Sequence, residues 1–365
     1  MSQSLEIVKS AVQLPHNRAW HAAGTWKNAT IVYGGFGTEE NDYKSVLFFH
    51  KSGKWTKKYT YGDFPTWSRD PCAQVVNDKM FVFGNDNEKL VVHSLDLHTW
   101  RWEKLAPNGT LPFEKCWNIT SWVYHGKIYC FGGNTLEYPH GASNQLFCYH
   151  ITTNSWELLT ARGDVPSPRV SSKAIISEET VFLYGGEHGH ITYNDLYTLD
   201  MVSMVWKRVH GNLSNGEGPS KFWRFTFICI SQSKALLLGP TNNTWLMNLH
   251  NAKQLMAPSS IWTNIQNPFQ RCCHAAVLQP LSKTLWVIGG HDCNSPYSIF
   301  PCLDLGTYTN DVLKVKLSNL RPLKDLAIEH VTKSISTNDP RFAPGQLPAK
   351  FMDEIEAYRS ENGIE

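Results

Sequence analysis

A basic residue closely preceded by a proline recurs six times along the chain, at Pro15/Arg18, Pro65/Arg69, Pro112/Lys115, Pro166/Arg169, Pro219/Lys221 and Pro268/Arg271. The basic positions stand 51, 46, 54, 52 and 50 residues apart. A period of this length marks a chain built from stacked supersecondary units, and it constrains the fold more than any single motif. After each basic residue comes an apolar stretch, a short turn and a second apolar stretch. That second stretch ends in Gly-Gly or a decayed form of it: Gly34-Gly35, Gly84-Asn85, Gly132-Gly133, Gly185-Gly186, Gly239-Pro240 and Gly289-Gly290. Two strands joined by a hairpin fit this pattern. A third strand follows, as in Asn194 to Leu199, and a tryptophan opens a fourth: Trp55, Trp102, Trp156 and Trp206. Leu255 stands where the fifth repeat is expected to carry its tryptophan.

Four strands per repeat and six repeats predict an all-β, six-bladed propeller over residues 1–317, followed by a helical tail over 318–365. The last repeat supplies three strands before the tail begins. Leu5 to Val8, at the same offset before Arg18 as Trp156 to Leu159 before Arg169, is expected to complete the sixth blade and remove an open sheet edge. In blades of antiparallel strands a to d, the d-to-a connections and the b-to-c loops emerge on one side. That side is the expected recognition face, and its longest loop runs from His291 to Asn310.

Composition agrees with a single large core: 42% of the 365 residues are apolar, with 14 Trp, 14 Tyr and 17 Phe. A formal net charge of +2 gives no sequence-wide pull toward nucleic acid or a membrane, so neither is expected as a partner. The N-terminus lacks a signal-like apolar run, and no stretch is long enough for a transmembrane helix, so a cytoplasmic or nuclear protein is expected. Nine cysteines, unpaired in spacing, read as reduced thiols. His188-Gly189-His190 has no third ligand at a usual metal spacing, and no nucleotide-binding or hydrolase motif stands out; no cofactor and no catalysis are expected.

The Gly-Gly doublet, a downstream Tyr and a Trp some six residues later resemble the kelch repeat, over roughly Leu5 to Leu317. That resemblance places Arg18, Arg69, Lys115, Arg169, Lys221 and Arg271 near the top of the central channel. There they either grip an anion or brace neighbouring blades. Trp20, Trp117 and Trp223 are candidate walls of a peptide site or parts of the core.

In the tail, Leu320, Leu323, Leu326, Ala327 and Val331 fall on one face of a helix. Pro322 to Val331 resembles the elongin-binding box of cullin-2 receptors, with Leu323, Ala327 and Val331 in its slots and Ala in place of the usual Cys. Leu347-Pro348-Ala349-Lys350-Phe351 looks like the cullin-2 box. Order and placement are similar to the kelch-domain substrate receptors of cullin-2 ubiquitin ligases. The resemblance implies a receptor that holds a client's C-terminal tail on the propeller while its own tail docks elongins B and C and cullin-2. Glu187 stands where those receptors carry an Arg for the client's carboxylate, and Phe222 fills a small-residue position beside Trp223. The alternatives are a helix folded back on the propeller and a non-ligase kelch scaffold of the cytoskeletal or GTPase-effector type.

Overall fold

The computed structural model describes residues 6–316 apart from 11–12, 28, 38–43, 51–53, 66–70, 87–88, 111–117, 136–140, 215, 222–224, 240–243, 266–270, 280–283, 293–308 and 310. All of them fall in 1–317, the first of two units into which the chain divides. The tail residues therefore lie outside the description.

Six antiparallel sheets follow one another along the chain. The first is Ala22–Trp26, Ala29–Tyr33, Ser45–Phe49 and Trp55–Tyr59. The fourth, the most extended, is Lys173–Ser177, Thr180–His188, Ile191–Asp200 and Val205–His210. In each, strand b pairs with both a and c, and c pairs with d. The innermost strands, Ala22–Trp26, Cys72–Val76, Thr120–Tyr124, Lys173–Ser177, Thr226–Ser231 and Ala275–Gln279, touch one another in a closed cycle. This is a six-bladed propeller. The sixth sheet joins Ala275–Gln279, Thr284–Ile288 and Val312–Lys316 to Glu6–Lys9, which pairs antiparallel with Val312–Lys316.

Pairing register shows why the repeat carries its aromatic residue where it does. Opposite the last or last-but-one residue of each c strand stand Trp55, Trp102, Trp156 and Trp206, facing Phe49, Leu95, Tyr149 and Leu199. The fifth blade corrects the reading of Leu255: Met247 faces Trp262, so Trp262 is that blade's tryptophan. Two short helices, Leu249–Lys253 and Pro258–Ile261, lengthen the c-to-d connection and displace it along the sequence. In the sixth blade Ile7 faces Val315, so the N-terminal strand sits two residues out from the register expected at Leu5. Trp102, Trp156, Trp206 and Trp262 are buried between blades. An indole removed from water in this way stabilises by about 4–5 kcal/mol before ordering costs.

A second element locks blades together at the rim. The chain leaving one blade lays a two-residue parallel strand on the outer strand of the next: Tyr61–Gly62 on Arg101 and Trp102, Asn108–Gly109 on Ser155 and Trp156, Arg162–Gly163 on Val205 and Trp206. Gly163 has φ of 83°, and a Cβ there would lie 2.2 Å from the Trp206 carbonyl oxygen. Only glycine tolerates both conditions. Between blades four and five a side-chain contact takes this place: Trp262 Nε1 donates to His210 Nε2 at 2.9 Å, and burial holds His210 below its ordinary pKa.

Candidate functional site

The d-to-a crossings and the b-to-c hairpins emerge on the same face, and the crossings are held by their arginines. Strand a begins opposite the residue that precedes each glycine doublet: Ala22 opposite Tyr33, Lys173 opposite Tyr184, Ala275 opposite Ile288. Arg18, Arg169 and Arg271 each stand four residues before that start. Each sends a guanidinium N–H to the carbonyl of its own blade's first doublet glycine, Gly34 at 3.1 Å, Gly185 at 2.9 Å and Gly289 at 3.5 Å. The arginine backbone meanwhile holds the preceding blade. Arg18 O accepts from Gly290 N at 2.9 Å, and Arg169 O from Gly133 N at 3.0 Å. Two positions on, Trp20 and Ser171 adopt left-handed φ of 53° and 57°, and their N–H groups donate to Cys273 O and Asn118 O of the blade before.

Arg169 is wholly buried and its donors are committed. Nη1 and Nη2 reach the two oxygens of Asp195 at 2.7 and 3.0 Å, Nε reaches Ser167 O at 3.0 Å, and Nη2 also meets Ser167 Oγ. Tyr193 stacks 4.3 Å from the guanidinium carbon. Arg271 makes the equivalent ion pair with Asp311 at 2.6 Å. These arginines therefore brace the fold rather than offer a free cation.

The six basic residues are not equivalent in register. Strand a of blades two, three and five starts at Cys72, Thr120 and Thr226. Counted back from those residues, Arg69 stands three positions before, and Lys115 and Lys221 five. Lys221 is exposed. Arg69, Lys115, Trp117 and Trp223 lie outside the described residues, as do Leu323, Leu326, Ala327, Val331, Leu347, Pro348 and Phe351 of the tail and most of the His291 to Asn310 loop. Trp20 is 7% exposed and packs with Ala19, Cys272 and Cys273, which makes it core rather than wall. Glu187 is half-buried in the b-to-c hairpin of blade four, where its backbone exchanges two 2.9 Å hydrogen bonds with Val170.

One residue escaped the sequence reading. At the first position of strand a the six blades carry Ala22, Cys72, Thr120, Lys173, Thr226 and Ala275, so Lys173 is the sole charged member of that inner ring. The signal was present only in the register of the repeats. Burial, with Arg271 and then Lys173 adding to it, holds His274 down to about 3; burial, with Arg18 and His274, does the same for His21. Burial is the main cause at both imidazoles and favours their neutral form, and the neighbouring cations act in the same direction. Among the described residues no group of three metal-ligating side chains occurs, and no disulfide joins the six described cysteines to one another.

Comparison with known proteins agrees with this architecture. A sequence model of the KLHDC2/KLHL20/DRC7 Kelch-repeats domain matches residues 84–240. Acyl-CoA-binding domain-containing protein 4 of Arabidopsis thaliana is 24% identical over 319 residues, spanning 83% of this chain and 46% of that protein. The chain thus spans about half the length of that relative. Kelch domain-containing protein 1 of Homo sapiens is 23% identical over 365 residues, 84% of this chain and 87% of that one. Kelch domain-containing protein 2 of Bos taurus is 24% identical over 233 residues, 53% and 57% of the two chains. The solved structure of YjhT superposes with a TM-score of 0.63 at 13% identity, over 84% of this chain and 100% of that one, a likeness of fold alone.

Proposed function

We propose, from the premise that the chain is a kelch-repeat β-propeller, that it is the substrate-recognition subunit of a cullin-2 and elongin BC ubiquitin ligase, binding the C-terminal tails of client proteins on the face of the arginine-braced crossings. Its part in ubiquitin transfer is to bind. The observation that carries the ligase half is the tail sequence, with Leu323, Ala327 and Val331 in the slots of an elongin-binding box and Leu347, Pro348 and Phe351 in those of a cullin box.

Two features support client capture. The bracing arginines fix the crossings and hairpins before any ligand arrives, which lowers the ordering cost of binding. With Arg169 and Arg271 spent on Asp195 and Asp311, Lys173 and Lys221 are the cations among the described residues that we assign to a client's carboxylate. Glu187 in the neighbouring hairpin then disfavours acidic residues just upstream of that carboxylate.

The test is selection of binders to the full chain from peptides with free C-termini, followed by amidation. A charge-assisted hydrogen bond in a partly dry site is worth roughly 1.5–3 kcal/mol, so amidation weakens binding about tenfold to a hundredfold, and Lys173→Ala reproduces the loss. Equal affinity for free and amidated peptides rejects carboxylate recognition and favours a non-ligase kelch scaffold that reads internal sequence.

A further inference from the structure

The outer edge of blade one differs in charge from the rest of the molecule. Residues 44–62 hold five lysines, Lys44, Lys51, Lys54, Lys57 and Lys58, and no Asp or Glu. Since the whole chain is only +2, everything outside this stretch is net acidic. Lys44 and Lys58 are exposed and rest on rings, Phe64 at 5.4 Å and Trp100 at 5.9 Å. Lys54 is exposed too, and none of these three takes a carboxylate among the described residues. Tyr59 and Tyr61 are 74% and 56% exposed, large values for tyrosines beside a folded sheet.

The strand that carries Lys57, Lys58 and Tyr59, Trp55–Tyr59, is the last of its sheet among the described residues. In blades two to four the corresponding strand takes an added extended segment, the two-residue parallel strand from the blade before. Among the described residues no such strand pairs here. Thr60 N donates to Lys44 O, and His50 N to Lys54 O, so the even-numbered residues bond inward and the peptide groups of Trp55 and Tyr59 point outward. Lys58 lies on the sheet face toward blade two, and Trp55 and Tyr59 on the opposite face.

We infer that the outer strand of blade one is a second docking edge, which takes an extended acidic segment of a partner protein as an added strand. Outward backbone groups recognise a polypeptide in extended form. Lysines along and beside the strand select Asp or Glu in a segment whose side chains alternate between the two faces, and Tyr59 and Tyr61 supply apolar contact. A polyanion such as single-stranded RNA would use the lysines and rings but not the edge N–H groups.

The experiment measures fluorescence anisotropy of a labelled (Glu-Thr)5 peptide, a labelled (Lys-Thr)5 peptide and a labelled U10 oligonucleotide on the full chain. The acidic peptide binds, the basic peptide does not, and affinity falls with added salt. Lys54→Glu with Lys58→Glu weakens binding about tenfold. Lys54→Gln with Lys58→Gln gives a smaller loss in the same direction and serves if the reversed pair fails to fold. Tyr59→Pro removes an outward N–H without touching the inward ladder, and it weakens the peptide severalfold. Absence of (Glu-Thr)5 binding overturns the inference. So does U10 binding as tight as the peptide and indifferent to Tyr59→Pro, which would make the patch a nucleic-acid surface.

Discussion

Arg169 and Asp195 face each other across two hydrogen bonds of 2.7 and 3.0 Å, the arginine wholly buried and the aspartate nearly so. The pair joins the crossing into blade four to its own strand c, while the Arg169 carbonyl holds Gly133 of blade three. Removing one partner leaves a charge buried without compensation. Asp195→Ala is therefore expected to cost about 3–5 kcal/mol in urea unfolding, and Arg169→Met with Asp195→Leu much less than the sum of the single changes. Additive losses would show that the two residues act independently.

The rim clasp gives a paired comparison. Gly163→Ala meets both an unfavourable φ and the Trp206 carbonyl, whereas Gly216→Ala meets a φ of 91° with nothing within 4 Å. Gly216→Ala is expected to cost about 1 kcal/mol, and Gly163→Ala at least about 2 kcal/mol more. Equal melting temperatures for the two variants would refute the clasp.

Stability should depend on pH through the channel histidines. His21 and His274 are held to about 3 by burial against an ordinary 6.5, so the unfolded chain takes up their protons well before the folded one does. Stability is full above pH 6.5 and falls as pH drops toward 3, at up to about 1.4 kcal/mol per pH unit for each histidine. His210, also depressed by burial, adds to the same trend. Urea unfolding between pH 7.5 and 4.5 should show this slope, and His21→Gln with His274→Gln should flatten it. A flat profile for the unaltered protein would contradict buried neutral imidazoles.

The N-terminal strand offers a stability test of ring closure. Glu6–Lys9 supplies the fourth strand of the sixth sheet through its pairing with Val312–Lys316. Deleting residues 1–10 should expose that edge and cost several kcal/mol, seen as a lower melting temperature and a greater tendency to associate. Unaltered melting would mean that the strand contributes nothing to closure.

Blade number and the braced face were legible in the sequence because the glycine doublets and tryptophans recur at one period. What failed depended on register. Trp262 hid behind a helical insertion, so Leu255 took its place by spacing alone. The six basic residues looked alike because a shift of one position is invisible at a fifty-residue period, yet it separates bracing Arg169 from exposed Lys221. Lys173 carries no motif and stands out only once the inner strands are aligned. The clasp was readable and missed: Gly62, Gly109 and Gly163 each follow Trp55, Trp102 and Trp156 by seven residues.

The proposed role rests most heavily on the tail, and one measurement addresses it directly: co-purification of the full chain with co-expressed elongins B and C. The unaltered chain is expected to form a stoichiometric complex, and Leu323→Asp to abolish it while the propeller melts as before, since a charge at a buried apolar anchor costs several kcal/mol at an interface. An unaltered chain that recovers no elongin, or a Leu323→Asp chain that recovers as much, would contradict the substrate-receptor account.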